Sequence, residues 1–183
     1  VFDSPEWFAL QTWNGGDKVG DLNMLLTFAE NASPSLEWIE GLGMQFADKI
    51  NSASGSLYMR THTAVMPNGT GYFKAFEGNL ATKGDLFTAM MDTTGKSLIM
   101  DGNKVVGVNA EGKDGHKVTL HANKGVILAT GGFAGNVEMR MKYCQSEKWP
   151  DLSAKVGTTN MPGVTGDGIY MAEDAGAELI NMD

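Results

Sequence analysis

The sequence predicts an α/β fold, an α+β mixture in which helices come first and short strands with a small antiparallel β hairpin region follow. Three observations predict it. Apolar residues recur at helical spacing through the first third of the chain. From about residue 86 the pattern changes to short apolar or alternating runs, divided by polar, glycine-bearing turns. One run, Val126-Ile127-Leu128-Ala129, is continuously apolar, as a strand buried on both faces of a parallel sheet is.

The elements follow in order. Asp17 to Asp21 is a polar lead-in, and Asp21 caps a helix whose buried face carries Leu22, Leu25, Leu26 and Ala29. Ser33-Pro34 predicts the start of a second helix, with Ser33 as N-cap and Pro34 at the first helical position, where a missing N–H costs nothing. Leu36, Trp38, Ile39 and Leu42 supply its apolar surface, and Gly43 its left-handed end. Asn51 to Gly71 is polar and long, a loop that either carries function or orders poorly. Tyr72 to Thr82 reads as a modest helix weakened by Gly78. Leu86–Met91, Ser97–Met100, Val105–Val108 and Val118–His121 read as strands, with turns at Asp92–Lys96, Asp101–Asn103 and Glu111–Gly115; the last two runs form a hairpin. After the Val126–Ala129 run, Thr130-Gly131-Gly132 ends the strand and Asn136 caps a helix to about Gln145. A last helix runs from Asp167-Gly168 to Gly176.

Composition narrows the function. With 183 residues, 42% hydrophobic and 20% charged, the chain is long and apolar enough for one ordinary domain with a real core. A net charge of −8 argues against nucleic acid, because phosphate binding needs clustered Lys and Arg, and any anionic ligand must be held by local features. The longest apolar run is strand-sized, so no membrane span is expected. Val1 to Pro5 shows no basic or apolar leader, but a chain opening without Met leaves export and compartment open. The lone Cys144 excludes an internal disulfide and a cysteine metal cluster, and its Met- and Tyr-rich surroundings make it packing rather than a nucleophile. His62, His116 and His121 lack ligand spacing, so no metal site is expected.

Two glycine-rich turns are the candidates for chemistry. Leu128-Ala129-Thr130-Gly131-Gly132-Phe133-Ala134-Gly135 lets backbone approach a ligand closely, since no Cβ intervenes, and the helix after it presents free N–H groups. A tight strand-to-helix turn without a ligand fits these residues equally well. The spacing is not Gly-x-Gly-x-x-Gly. In Gly163-Val164-Thr165-Gly166-Asp167-Gly168, Asp167 is either an ordinary N-cap, which local grounds favour, or an acceptor for a cofactor hydroxyl. Arg60 and His62 pair a carboxylate-binding fork with a group that donates protons near neutral pH, although a solvated loop fits them better on local grounds.

Lys124-Gly125-Val126-Ile127-Leu128-Ala129-Thr130-Gly131-Gly132-Phe133-Ala134-Gly135-Asn136 resembles the second flavin-contacting strand and turn of the fumarate reductase/succinate dehydrogenase flavoprotein superfamily, above all its flavocytochrome-c and urocanate-reductase-like branch. About thirty residues on, Thr165-Gly166-Asp167-Gly168, then Met171-Ala172 and Ala175-Gly176-Ala177, is similar to that family's next landmark. Two motifs in the right order are far more specific than either alone. Upstream, Asp21 to Phe46 with its Glu37 to Gly43 run, Arg60-Thr61-His62 and Thr93-Thr94-Gly95-Lys96 resemble further family segments, so the resemblance covers nearly the whole chain.

The resemblance implies a partial FAD/NAD(P)-binding Rossmann-like domain with FAD as cofactor. Residues 1–183 would be an internal part of it, without the opening Gly-x-Gly-x-x-Gly strand, the clamp domain that carries the Arg acid, and the C-terminal flavin segment. It places Ala129, Thr130, Gly131 and Gly132 along FAD, Asp167 in a hydrogen bond to it, and Thr94 and Gly95 at its adenosine end. Arg60 and His62, on a segment similar to an Arg-containing loop of the family, are the candidates for contact with substrate. No residue receives the proton-donor role. The implied parent is a flavin oxidoreductase that reduces the C=C bond of an unsaturated carboxylic acid, and the chain alone is expected to be inactive. A piece of another FAD enzyme of the superfamily, of the 3-ketosteroid dehydrogenase or L-aspartate oxidase type, and a ligand-free non-catalytic piece stay open. Expected partners are the small unsaturated acid and either the remaining segments of the enzyme or a second copy. The reason is that Val126–Ala129 without its neighbouring strand presents an unpaired edge and an apolar face.

Overall fold

A computed structural model describes residues 3–148 and 152–182 of the chain. They fall into two compact units, one up to Thr88 and one from Ala89 onward.

The first unit opens with α1 (Pro5–Gly15). Ser4 caps it, its hydroxyl accepting from Trp7 N at 3.2 Å, and Pro5 takes the first helical position. α2 (Leu22–Gly41) is capped by Asp21, which accepts from Asn23 N and Met24 N at 2.8 and 3.0 Å. Ser33 does not start a second helix, because α2 runs unbroken through Pro34. An interior proline forfeits one backbone bond at a cost of about 3 kcal/mol. Here Ala29 and Ile39, on either side of it, are both buried, so packing of a continuous face outweighs the local loss. The end of α2 is a Schellman motif: Met44 N donates to Ile39 O at 3.1 Å, Gly43 N donates to Glu40 O at 2.8 Å, and Gly43 sits at φ +96°. Met44 and Ile39 then meet in the core with Ala75, against which Leu42, Phe46 and Ala64 pack.

The polar stretch expected to be one loop, Asn51 to Gly71, contains a strand. β1 (Phe46–Asn51) pairs antiparallel with β2 (Thr61–Ala64), in register Ile50↔His62 and Asn51↔Thr61. Thr-x-Thr alternation in so short a run gives little local signal, and its partner lies across a long connection. α3 (Thr70–Leu80) follows and passes into a 3-10 turn over Ala81–Leu86. That turn replaces the start of the strand expected over Leu86–Met91; no strand forms there, and Leu86 and Met91 are exposed.

The second unit carries a three-stranded antiparallel meander of β3 (Thr93–Asp101), β4 (Lys104–Gly112) and β5 (Lys117–His121), with β4 central. β3 begins earlier than expected, taking in Thr93 to Lys96, which read as turn; cross-strand pairing to Glu111 and Ala110 holds them. α4 (Val137–Tyr143) is capped by Asn136, whose side chain accepts from Met139 N at 3.0 Å, and α5 (Asp167–Asp174) follows. Val126–Ala129 does not form a strand. No described strand pairs with it, and Ile127 is 91% exposed.

Candidate functional site

The two glycine-rich turns are brought together within the second unit. Gly135 N donates to Val164 O at 2.8 Å, and Asn136 Nδ2 donates to Thr165 O at 2.9 Å. Asn136 therefore caps α4 with its oxygen and ties the second turn with its nitrogen. The approach is too close for side chains. A Cβ on Gly168 would stand 2.0 Å from Thr130 Oγ1, and one on Gly166 would stand 2.2 Å from Met139 Sδ and 3.0 Å from Phe133 Cβ. Met139 is completely buried beneath this contact. Gly95 of β3 joins from the other side, its Cα face against Met171 of α5. The chain thus closes a knot of β3, the first turn, α4, the second turn and α5.

What the knot leaves open is chemically specific. The N–H groups of Ala129, Thr130, Gly131 and Gly132 donate no hydrogen bond within the described residues, and all four residues are exposed. Gly131 lies at φ +78°, the left-handed region that glycine tolerates without strain. Asp167 is not the N-cap that local reasoning favoured. Gly166, at φ +84°, occupies that position, and Asp167 is the first residue of α5, where the helix dipole favours a carboxylate. Its carboxylate is exposed and makes no hydrogen bond among the described residues. A row of backbone donors, two of them on glycines, beside a free acceptor fits a planar cofactor bearing both acceptor oxygens and hydroxyl donors, which is the chemistry of FAD.

The other candidates sit differently. Thr94 is exposed on β3, and strand alternation turns it to the sheet face opposite Gly95. Arg60 and His62 belong to the first unit, where they line a cavity of about 500 Å³ with Phe8, Phe46 and Tyr72. The Arg60 fork is engaged: Nε and Nη2 donate to the two Asp3 oxygens at 2.7 Å each, Nη1 donates to Gln11 at 2.8 Å, and the guanidinium lies over Phe8 at 4.4 Å. It braces α1 against the segment entering β2. His62 stacks edge-on against Phe46 at 6.0 Å. Sequence reasoning passed over Phe133, Met139 and Val164, the residues that hold the turns together. Nothing local marks them, because each matters only through a partner in the other turn.

The Arg60 brace carries a pH signature. Its hydrogen bonds hold the Asp3 carboxyl below the ordinary aspartate value of 3.8. A lowered folded pKa means that the pair's contribution is fully present above 3.8 and is lost as pH falls through the lower folded value. Acid is expected to release α1 in that window, read from the fluorescence of Trp7, whose indole N–H donates to Tyr58 at 3.3 Å. Asp3→Asn should abolish the transition, and an unchanged acid titration in that variant would show that Asp3 does not control it.

Comparison with known proteins points to the same cofactor. The family described as FAD binding domain matches residues 1–183. The chain is similar to NADH:acrylate oxidoreductase of Vibrio harveyi, at 33% identity over the whole chain and 19% of that protein, and to urocanate reductase of Eggerthella lenta, at 33% identity over the whole chain and 29% of that protein. Its structure superimposes on the open conformation of a flavocytochrome c3 fumarate reductase with a TM-score of 0.79 and 28% identity, covering 97% of this chain and 30% of that one. A 3-ketosteroid dehydrogenase from Rhodococcus jostii, at TM-score 0.78 and 22% identity, shares the fold. The chain thus spans 19% and 29% of the length of the two curated relatives named here.

Proposed function

We propose, from the premise that the chain belongs to the FAD binding domain family and that FAD is its cofactor, that it serves a full-length flavin oxidoreductase reducing the C=C bond of a small unsaturated acid. The observation that carries the reading is the convergence of the two glycine turns, which leaves bare N–H donors beside an unpartnered Asp167. Similarity to acrylate, fumarate and urocanate reductases supports the substrate class.

FAD, when bound, supplies the hydride chemistry. The chain's own residues bind and orient. Ala129, Thr130, Gly131 and Gly132 donate backbone N–H groups at close range, which side chains on the glycines would prevent. Asp167 accepts from a cofactor hydroxyl, its position set by the buried glycines on either side. Gly95 closes the floor through Met171, and Thr94 stands at the outer, adenosine-facing end. Arg60 acts on substrate only indirectly, by bracing α1, while the His62 ring nitrogens make no hydrogen bond among the described residues and stay available to an acid.

Asp167→Ala in the full-length protein is expected to weaken FAD retention by about ten- to a hundredfold, the worth of a hydrogen bond to a charged group. Visible absorption of the purified protein and FAD titration of the apoprotein measure it. Unchanged occupancy would remove Asp167 from the site. Reoxidation of the reduced protein by acrylate, fumarate or urocanate tests the reaction, and failure with all unsaturated acids would discard the substrate class.

A further inference from the structure

Tyr143 touches both halves of the knot without lining the exposed donor row. Its ring stands edge-on to Phe133, with centroids 5.8 Å apart at 62°. Phe133 directly follows Gly132, and its Cβ is 3.0 Å from where a Gly166 side chain would begin, so with Met139 it packs the first turn against the second. The Tyr143 hydroxyl accepts from Lys142 Nζ at 2.8 Å and lies 3.5 Å from Glu173 Oε2 on α5. The Lys142 ammonium lies over the Tyr143 ring at 4.5 Å and the Tyr170 ring at 6.0 Å, which straps the end of α4 to α5.

Taken together, these contacts point to a role at one remove from the cofactor. We infer that Tyr143 is a positioning residue for FAD, its ring fixing Phe133 and thereby the spacing between the Ala129–Gly132 donors and Asp167. The ring carries the effect and the hydroxyl strap is secondary, since only the ring reaches Phe133. This deepens the FAD reading and rests on it.

The test uses the full-length holoenzyme and its apoprotein, with FAD itself as probe. Tyr143→Ala is expected to weaken FAD binding by about two- to tenfold, the range an aromatic pair supplies. At saturating FAD it should also shift the visible band and reduction potential of the bound flavin, which a general loss of stability would not move. Tyr143→Phe keeps the ring and is expected to restore wild-type affinity and spectrum. Tyr143→Leu, which keeps bulk without an edge-on ring, replaces the alanine variant if that one fails to fold, and should behave as it does. Wild-type affinity and spectrum in Tyr143→Ala or Tyr143→Leu would overturn the inference alone. So would a Tyr143→Phe variant as impaired as the alanine one, since the hydroxyl strap would then be what matters. A wild-type protein that takes up no FAD would overturn the FAD reading as well.

Discussion

Gly166→Ala is expected to destabilise the second unit by roughly 2–5 kcal/mol and to strip it of flavin. Two costs combine. An alanine at φ +84° sits in the left-handed region, at about 1–2 kcal/mol. Its Cβ would also stand 2.2 Å from Met139 Sδ, and overpacking of a filled site costs about 1–3 kcal/mol. A methionine tip usually yields, but Met139 is 0% exposed and the Phe133 Cβ closes the other side at 3.0 Å. Denaturant unfolding measures the first effect and FAD titration the second. Gly163→Ala is the control, because a Cβ there has nothing within 4 Å. Equal losses in the two variants would mean that close approach of the turns is not what Gly166 provides.

A comparable loss is expected from Gly107→Ala, by a different route. Gly107 is buried in the central strand, opposite His121 on β5 and Ile99 on β3. A Cβ there would stand 2.3 Å from the Leu120 carbonyl oxygen. Backbone cannot swing aside as a side-chain tip does, so β5 must separate from β4 at that point or the sheet must shear. A cost of about 3 kcal/mol, at the upper end of overpacking, is expected. Hydrogen exchange should show lost protection at Thr119 and His121 while β3 stays protected. Full protection along β5 would show that the sheet absorbs the methyl group. Once FAD is supplied in excess this variant should bind it normally, which separates failure of the sheet from failure of the site.

How far these features could be read in advance depends on how local their causes are. Asp21, Gly43 and Asn136 act on groups within a few residues, so their caps were legible in sequence and the structure has them. The β4–β5 hairpin carries its turn between its strands and was legible too. α1 left a signal in Ser4-Pro5-Glu6 that the reading passed over. Pro34 misled because local chemistry ends a helix where tertiary packing continues it. Val126–Ala129 misled in the opposite sense: its composition suits a buried strand, but a strand exists only with neighbours. In the site, the glycines and Asp167 were legible as residue types, whereas Phe133, Tyr143 and Val164 were not, since their meaning lies in distances between segments. Arg60 looked like a free fork because nothing local shows that Asp3, 57 residues earlier, holds it.

The bond from Asn136 to Thr165 spans 29 residues, and that separation acts as a delay when the chain is synthesised. At about 5–20 residues per second, the Gly131–Gly135 turn emerges roughly 1.5–6 seconds before the segment that fastens it. For that interval Phe133, Asn136 and Met139 stand without the segment they pack against. A nascent chain paused between the two turns leaves Met139, completely buried in the finished unit, open to water, and the rate of elongation through the intervening stretch sets how long that exposure lasts.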